Sequence, residues 1–208
     1  MNRTTYPGVV PSLHEFLEQN RRLLIFLSLL LAGVLGGVLL FTASHDALAH
    51  ELSLMLDIPA IEGFSGGMSV LFSSCFSTIV LLLVLFLAGL TVYGAPVTAV
   101  VPLFFGLGVG MTEAYYYGAG RPGILFVAVL VVPRTLIAAA ALLMGCSESL
   151  RMSLLLSGQL LPSSAHCGGL WKDFRLYGVR FLVFFGLAFA AGVVDVCLRT
   201  ACYSWFYA

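Results

Sequence analysis

Charge is scarce in this chain. Only 10% of its 208 residues are Asp, Glu, Lys or Arg, and their formal sum is zero. So little charge, with no basic excess, offers no field to attract nucleic acid or an acidic substrate. The five cysteines (Cys75, Cys146, Cys167, Cys197 and Cys202) include no CxxC pair and no metal-ligand spacing, so they indicate neither a disulfide framework nor a zinc module. Cys75 and Cys197 read as small apolar packing residues. There is no HExxH, no phosphate-binding loop, no nucleophile–base–acid set, no tandem repeat and no low-complexity tail. The expectation is a protein that is not an enzyme and holds no metal or cofactor.

What fills the chain instead is apolar material. Sixty per cent of the residues are hydrophobic and the mean hydropathy is +1.03, values that belong to integral membrane proteins. A bilayer span takes about 20 residues. Five apolar runs meet that length, at about 23–41, 70–92, 97–117, 124–144 and 177–197. The expected fold is a single all-α domain over residues 1–208, a polytopic membrane helix bundle of about five spans. Residues 1–22 form a polar, interfacial prelude. The first run has a signal peptide as its rival reading, because Ala47-Leu48-Ala49 resembles a cleavage site. It is longer than a signal core of about 7–15 residues and lies well short of that site, so an uncleaved span is expected.

Residues 42–68 hold His45, Asp46, His50, Glu51, Asp57 and Glu62, and no Lys or Arg. The two histidines are five apart, which suits a solvated acidic loop better than a metal site. Gly63-Phe64-Ser65-Gly66 matches the G-x-S-G of intramembrane serine proteases. The only later histidine, His166, falls in a polar linker, so Ser65 is read as helping to start the next helix.

Several features lie inside the apolar runs. Gly33 and Gly37, and again Gly106 and Gly110, have the G-x-x-x-G spacing that lets helices approach closely. Gly186 and Ala190 repeat that small-residue spacing in the last span. Gly106, Gly108 and Gly110 together suggest an irregular or partly unwound third helix, which also holds Pro102. Ser73, Ser74, Ser77 and Thr78 can bond to backbone carbonyls or across to another helix. The fourth span is expected to be broken near Pro133, which removes a helix hydrogen bond. Arg134 follows it, and an arginine at mid-bilayer calls for a carboxylate from another span: Glu113 first and Asp195 second. Asp195 has Arg199 four residues on, an alternative partner on its own helix. Residues 145–176 read as a long loop whose first part lies on the membrane surface as an amphipathic helix.

Orientation follows from the basic residues. With the N-terminus inside, Arg3, Arg21, Arg22, Arg151, Lys172, Arg175 and Arg180 are cytoplasmic, while Arg121 and Arg199 fall near the other face. Positive-inside then gives N-in and C-out, with 42–68 external. Tyr115-Tyr116-Tyr117 and the aromatics from Tyr203 to Tyr207 suit interfacial belts.

One stretch, residues 85–145, resembles the stage II sporulation protein M family. The landmarks are Gly89-Leu90, the turn Gly94-Ala95-Pro96, Gly106 with Gly110, Tyr117-Gly118 before Gly123, and Pro133. Gly33, Gly36 and Gly37 in the first span and Asp195 in the last extend the likeness over nearly the whole chain. Arg134-Thr135 stands where that family usually has an amide pair, and no lysine precedes Gly106. The resemblance implies a non-catalytic bacterial cell-membrane protein. It would anchor or recruit peptidoglycan-degrading partners, sporulation proteins D and P, at the septum during engulfment. It would meet membrane lipid and these hydrolases, and pair with itself through small-residue faces. The alternative, read from the residues, is a small transporter or channel subunit built around the glycine-rich third span and Arg134. A water-filled cavity reaching Arg134 favours transport; close packing there favours the scaffold.

Overall fold

The structure, a computed structural model, describes residues 21–43, 63–118, 121–159 and 170–206. Helices α1 (Arg21–Ala43), α2 (Gly63–Gly89), α3 (Gly94–Tyr117), α4 (Arg121–Phe126), α5 (Val132–Gln159) and α6 (Leu170–Phe206) account for nearly all of them. No strand occurs among the described residues. Four segments are long and apolar enough to cross a bilayer: Arg21–Ala43, Gly94–Tyr117, Gly123–Gly158 and Trp171–Ala201. α2 adds the apolar stretch Cys75–Gly89. Large side chains such as Leu39, Phe104 and Leu182 point out of the bundle with more than half their surface exposed. Apolar cover of that extent belongs against lipid rather than water. The chain is an all-α, multi-pass membrane helix bundle.

The interruption expected at Pro133 takes the form of one π-helical turn, Val127–Val131, which joins α4 to α5 without ending the helix. The Val132 amide reaches back to the Val127 carbonyl, five residues earlier. Proline lacks an amide hydrogen, and its ring crowds the carbonyl four residues before it; widening the preceding turn relieves both. Thr135 then donates its hydroxyl to the Val131 and Val132 carbonyls, at 2.9 and 3.0 Å. Pro102 likewise sits inside α3 without ending it, so the third span is a helix throughout.

α1 and α3 form the closest seam in the bundle. Gly33 and Gly37 of α1 lie against the Leu103 and Leu107 carbonyls of α3, and Gly106 and Gly110 of α3 lie against the Leu30 and Val34 carbonyls of α1. The contact is reciprocal, backbone on backbone, and a Cβ at any of the four positions would overlap a carbonyl oxygen that cannot swing away. Two i, i+4 glycine pairs thus create one another's groove, the arrangement small-residue spacing permits in lipid.

The half of the bundle around the α2–α3 turn is packed solid. Leu82 and Leu85 of α2, Leu142 and Cys146 of α5, and Phe181 of α6 are fully buried there. The carbonyls at the end of α2 need donors, since a helix C-terminus leaves its last carbonyls without amides and lipid supplies none. Neighbouring hydroxyls provide them. Ser149 donates to the Leu85 carbonyl at 2.7 Å, Tyr177 to that of Phe86 at 2.9 Å, and Ser153 to that of Thr91 at 2.9 Å. α5 can deliver Ser149 and Ser153 because it continues as helix to Gln159, where the sequence suggested a surface loop from residue 145. At about 1.5 Å per residue, Gly123–Gly158 reaches roughly 54 Å, well beyond the ~30 Å hydrocarbon layer. Glu148 on that extension pairs with Arg180 of α6 and, at 3.7 Å, with Arg151.

Candidate functional site

Toward the opposite end, near the α3–α4 turn, the bundle opens. A cavity of about 570 Å³ lies between α2, α3 and α5, with the end of α6 at its edge. Its apolar wall includes Phe76 and Val80 of α2, Phe104 of α3 and Phe126 of α4. Hydroxyl groups of Ser77, Thr112, Thr135 and Tyr116 interrupt that wall, and Arg134 and Arg199 supply its charge. The π turn adjoins this site: Val131, its last residue, and Arg134, three residues on, both line the cavity.

Asp195 holds the two arginines from behind. Asp195 is 1% exposed, and its carboxylate lies 3.0 Å from Arg199 Nε and 3.4 Å from Arg134 Nη1. The Arg199 contact is the helix pair that their four-residue spacing makes available. Arg134, by contrast, meets Asp195, the carboxylate ranked second, while Glu113 forms no ion pair among the described residues. The reason is angular. Thr112 and Tyr116 occupy the cavity face of α3, and Glu113, one position round the helix from Thr112, is not among the lining residues. Reach along the helix axis was sufficient; direction around it was not.

The remaining residues singled out from the sequence separate into two groups. Gly33, Gly37, Gly106 and Gly110 come together in the α1–α3 seam, and Pro133 sets the π turn beside the cavity. Among the described residues, Gly186 and Ala190 stay outside the helix contacts: both are exposed, and a Cβ at Gly186 would meet nothing within 4 Å. α6 packs instead through Phe181, Phe184, Ala188 and Ala191, a face turned away from those two. Gly192 receives Cys75 of α2, a free and buried thiol, whereas Cys197 is exposed rather than packed. Gly63-Phe64-Ser65-Gly66 forms the first turn of α2. His45, His50 and most of the acidic 42–68 segment, His166 and Tyr207 lie outside the described residues.

Sequence reading missed Arg199 as a cavity residue, because its pairing with Asp195 already accounted for it. It also missed the roles of Ser149, Ser153 and Tyr177. Serines four apart on one face of a helix that leaves the membrane were the available signal.

No family pattern, no curated protein and no solved structure matches this chain.

Proposed function

We propose that this chain is a non-catalytic scaffold of the bacterial cell membrane, which anchors and positions peptidoglycan-degrading enzymes. In a sporulating host it acts at the septal and engulfing membrane, with wall hydrolases of the sporulation protein D and P type as partners. One observation carries the reading. Six of the glycine landmarks behind the resemblance to the stage II sporulation protein M family are positions on which the packing depends, whereas Gly36 faces open space. Gly33 and Gly37 meet Gly106 and Gly110 across the α1–α3 seam. Gly89 makes room for the Tyr177 hydroxyl, and Gly94 lets the α2–α3 turn fold onto the Ala88 carbonyl. This coincidence supports a likeness of fold, not merely of glycine content.

Within the reading, the face toward the cell wall carries residues 42–68, the α3–α4 turn and the C-terminal aromatics. Because α3 already occupies Gly33 and Gly37, the small-residue face left for a partner's single membrane anchor, or a second copy, is Gly186 and Ala190 on α6. Deleting the gene in cells carrying fluorescent wall hydrolases tests the proposal. Loss of their septal position with unchanged solute fluxes supports it.

A second reading, a small transporter or channel subunit, draws on a specific observation: the cavity extends to Arg134 instead of being packed shut. Cavities with a charge at membrane depth mark substrate paths in transporters. The packed core around Leu82, Leu142 and Phe181 closes the other half of the bundle, so transport would require a second conformation. Correct hydrolase placement together with a lost solute or ion flux in the deletion strain favours this reading.

A further inference from the structure

Independently of both readings, we propose that the cavity between α2, α3 and α5 is a binding site for an anionic membrane lipid. Its phosphate would sit on Arg134 and Arg199, and an acyl chain would leave between α2 and α3.

The wall has one sign of charge. Arg134 and Arg199 line it with 28% and 16% of their side chains exposed, and no carboxylate stands among the described lining residues. Asp195 is withdrawn behind them at 1% exposure, so it orients the guanidinium groups without presenting its own charge to the cavity. Arg199 binds Asp195 through Nε, which leaves its planar pair of terminal nitrogens, the edge suited to a phosphate or carboxylate, for the cavity side. The Ser77 hydroxyl adds a polar partner to the same wall, while the Thr112 and Thr135 hydroxyls give their protons to nearby backbone carbonyls.

The opening defines the rest of the ligand. Phe76, Val80 and Phe104 border the cavity and are exposed on the flank of the bundle, and Gly108 between them is exposed with nothing within 4 Å of its Cβ position. That flank is lipid-facing, so the way in is sideways from the bilayer. A lipid already carries its chain at that depth, while Tyr116 and Arg199 set the charged end of the cavity toward the membrane face where headgroups lie. A volume of about 570 Å³ falls in the range of small-ligand pockets, about 300–1,000 Å³, enough for a headgroup and the start of a chain.

The test uses the full chain in a neutral maltoside detergent with a fluorescent-tailed phosphatidylglycerol as probe. Unlabelled phosphatidylglycerol, phosphatidylcholine and inorganic phosphate compete for the site. Phosphatidylglycerol is expected to displace the probe about tenfold better than phosphatidylcholine, whose phosphate is accompanied by a cationic choline that the two guanidinium groups repel. Inorganic phosphate should not displace it. Equal competition by the two lipids overturns the proposal, and so does displacement by phosphate as effective as by phosphatidylglycerol, which marks a free-anion site. Arg199→Gln should remove the headgroup preference. Should that variant fail to fold, Gly108→Leu decides: it fills the entrance, where an added side chain meets nothing, and should abolish probe binding. Gly36→Leu, at an equally open position on α1 away from the cavity, should leave binding intact. Undiminished binding by Gly108→Leu rejects the site.

Discussion

Replacing Asp195 with asparagine separates charge from shape at the centre of the bundle. Asn keeps an acceptor oxygen and nearly the same volume, so packing on α6 survives while the negative charge is lost. The carboxylate stands 3.0 Å from Arg199 and 3.4 Å from Arg134. At an effective dielectric of about 20, each attraction is worth roughly 5 kcal/mol before desolvation is counted. Desolvation offsets much of that gross value in the native pair. Removing one partner from a buried ion pair, however, leaves the desolvated charges uncompensated, and the net loss is typically about 3–5 kcal/mol. Asp195→Asn leaves two guanidinium groups facing the same site, so the upper part of that range is expected. For a chain of this length, about 2–4 °C per kcal/mol translates into an apparent midpoint lower by roughly 8–20 °C. Size-exclusion recovery of detergent-solubilised protein after heating reads this directly. Adding Arg199→Gln to Asp195→Asn should recover part of the loss, since the two residues share one interaction and their effects should not add. Glu113→Gln, which breaks no ion pair among the described residues, should stay within about 0.5 kcal/mol of the parent. A midpoint for Asp195→Asn within about 2 °C of the parent, or an equal loss from Glu113→Gln, would refute the assignment of Asp195 as the carboxylate that neutralises Arg134.

The α1–α3 seam makes a positional prediction: Gly37→Leu or Gly106→Val should abolish recovery of monodisperse protein, because the new side chain overlaps backbone, whereas Gly36→Leu should be tolerated. At the end of α2, Tyr177→Phe removes the hydroxyl bound to the Phe86 carbonyl while keeping the ring stacked on Phe86, and should lower stability by about 1 kcal/mol in the same heating assay. Orientation is tested on a background without the native cysteines. Asp57→Cys and a C-terminal cysteine should both react with an impermeant maleimide in intact cells, and protection of both would reverse the N-in, C-out reading.

The sequence by itself determined that this is a helical membrane protein. Spans of about 20 apolar residues can satisfy their backbone in lipid only as helices, and that requirement is local. The glycine seam was half legible. G-x-x-x-G spacing identifies a face able to accept a close neighbour, but it cannot name the neighbour. It marked Gly33/Gly37, Gly106/Gly110 and Gly186/Ala190 alike, and among the described residues only the first two pairs meet. Similarly, Pro133 announced a disturbance without revealing its form, since a kink, a break and a π turn all relieve the same missing amide.

Tertiary structure alone decided which charges meet. Arg134 lies 21 residues from Glu113 and 61 from Asp195 in the chain, and neither separation carries the rotation of one helix about its axis relative to another. A turn of about 100° per residue moves a side chain from the cavity face to the flank, so Thr112 lines the cavity while Glu113 does not. The same uncertainty in rotation concealed the cavity itself. It lies against residues 76–81 of α2 and 104–116 of α3, away from their shared turn, where Gly108 has no side chain to close the gap. Helix identity follows from the bonds each residue makes with its near neighbours; the space between helices depends on the packing of all of them at once.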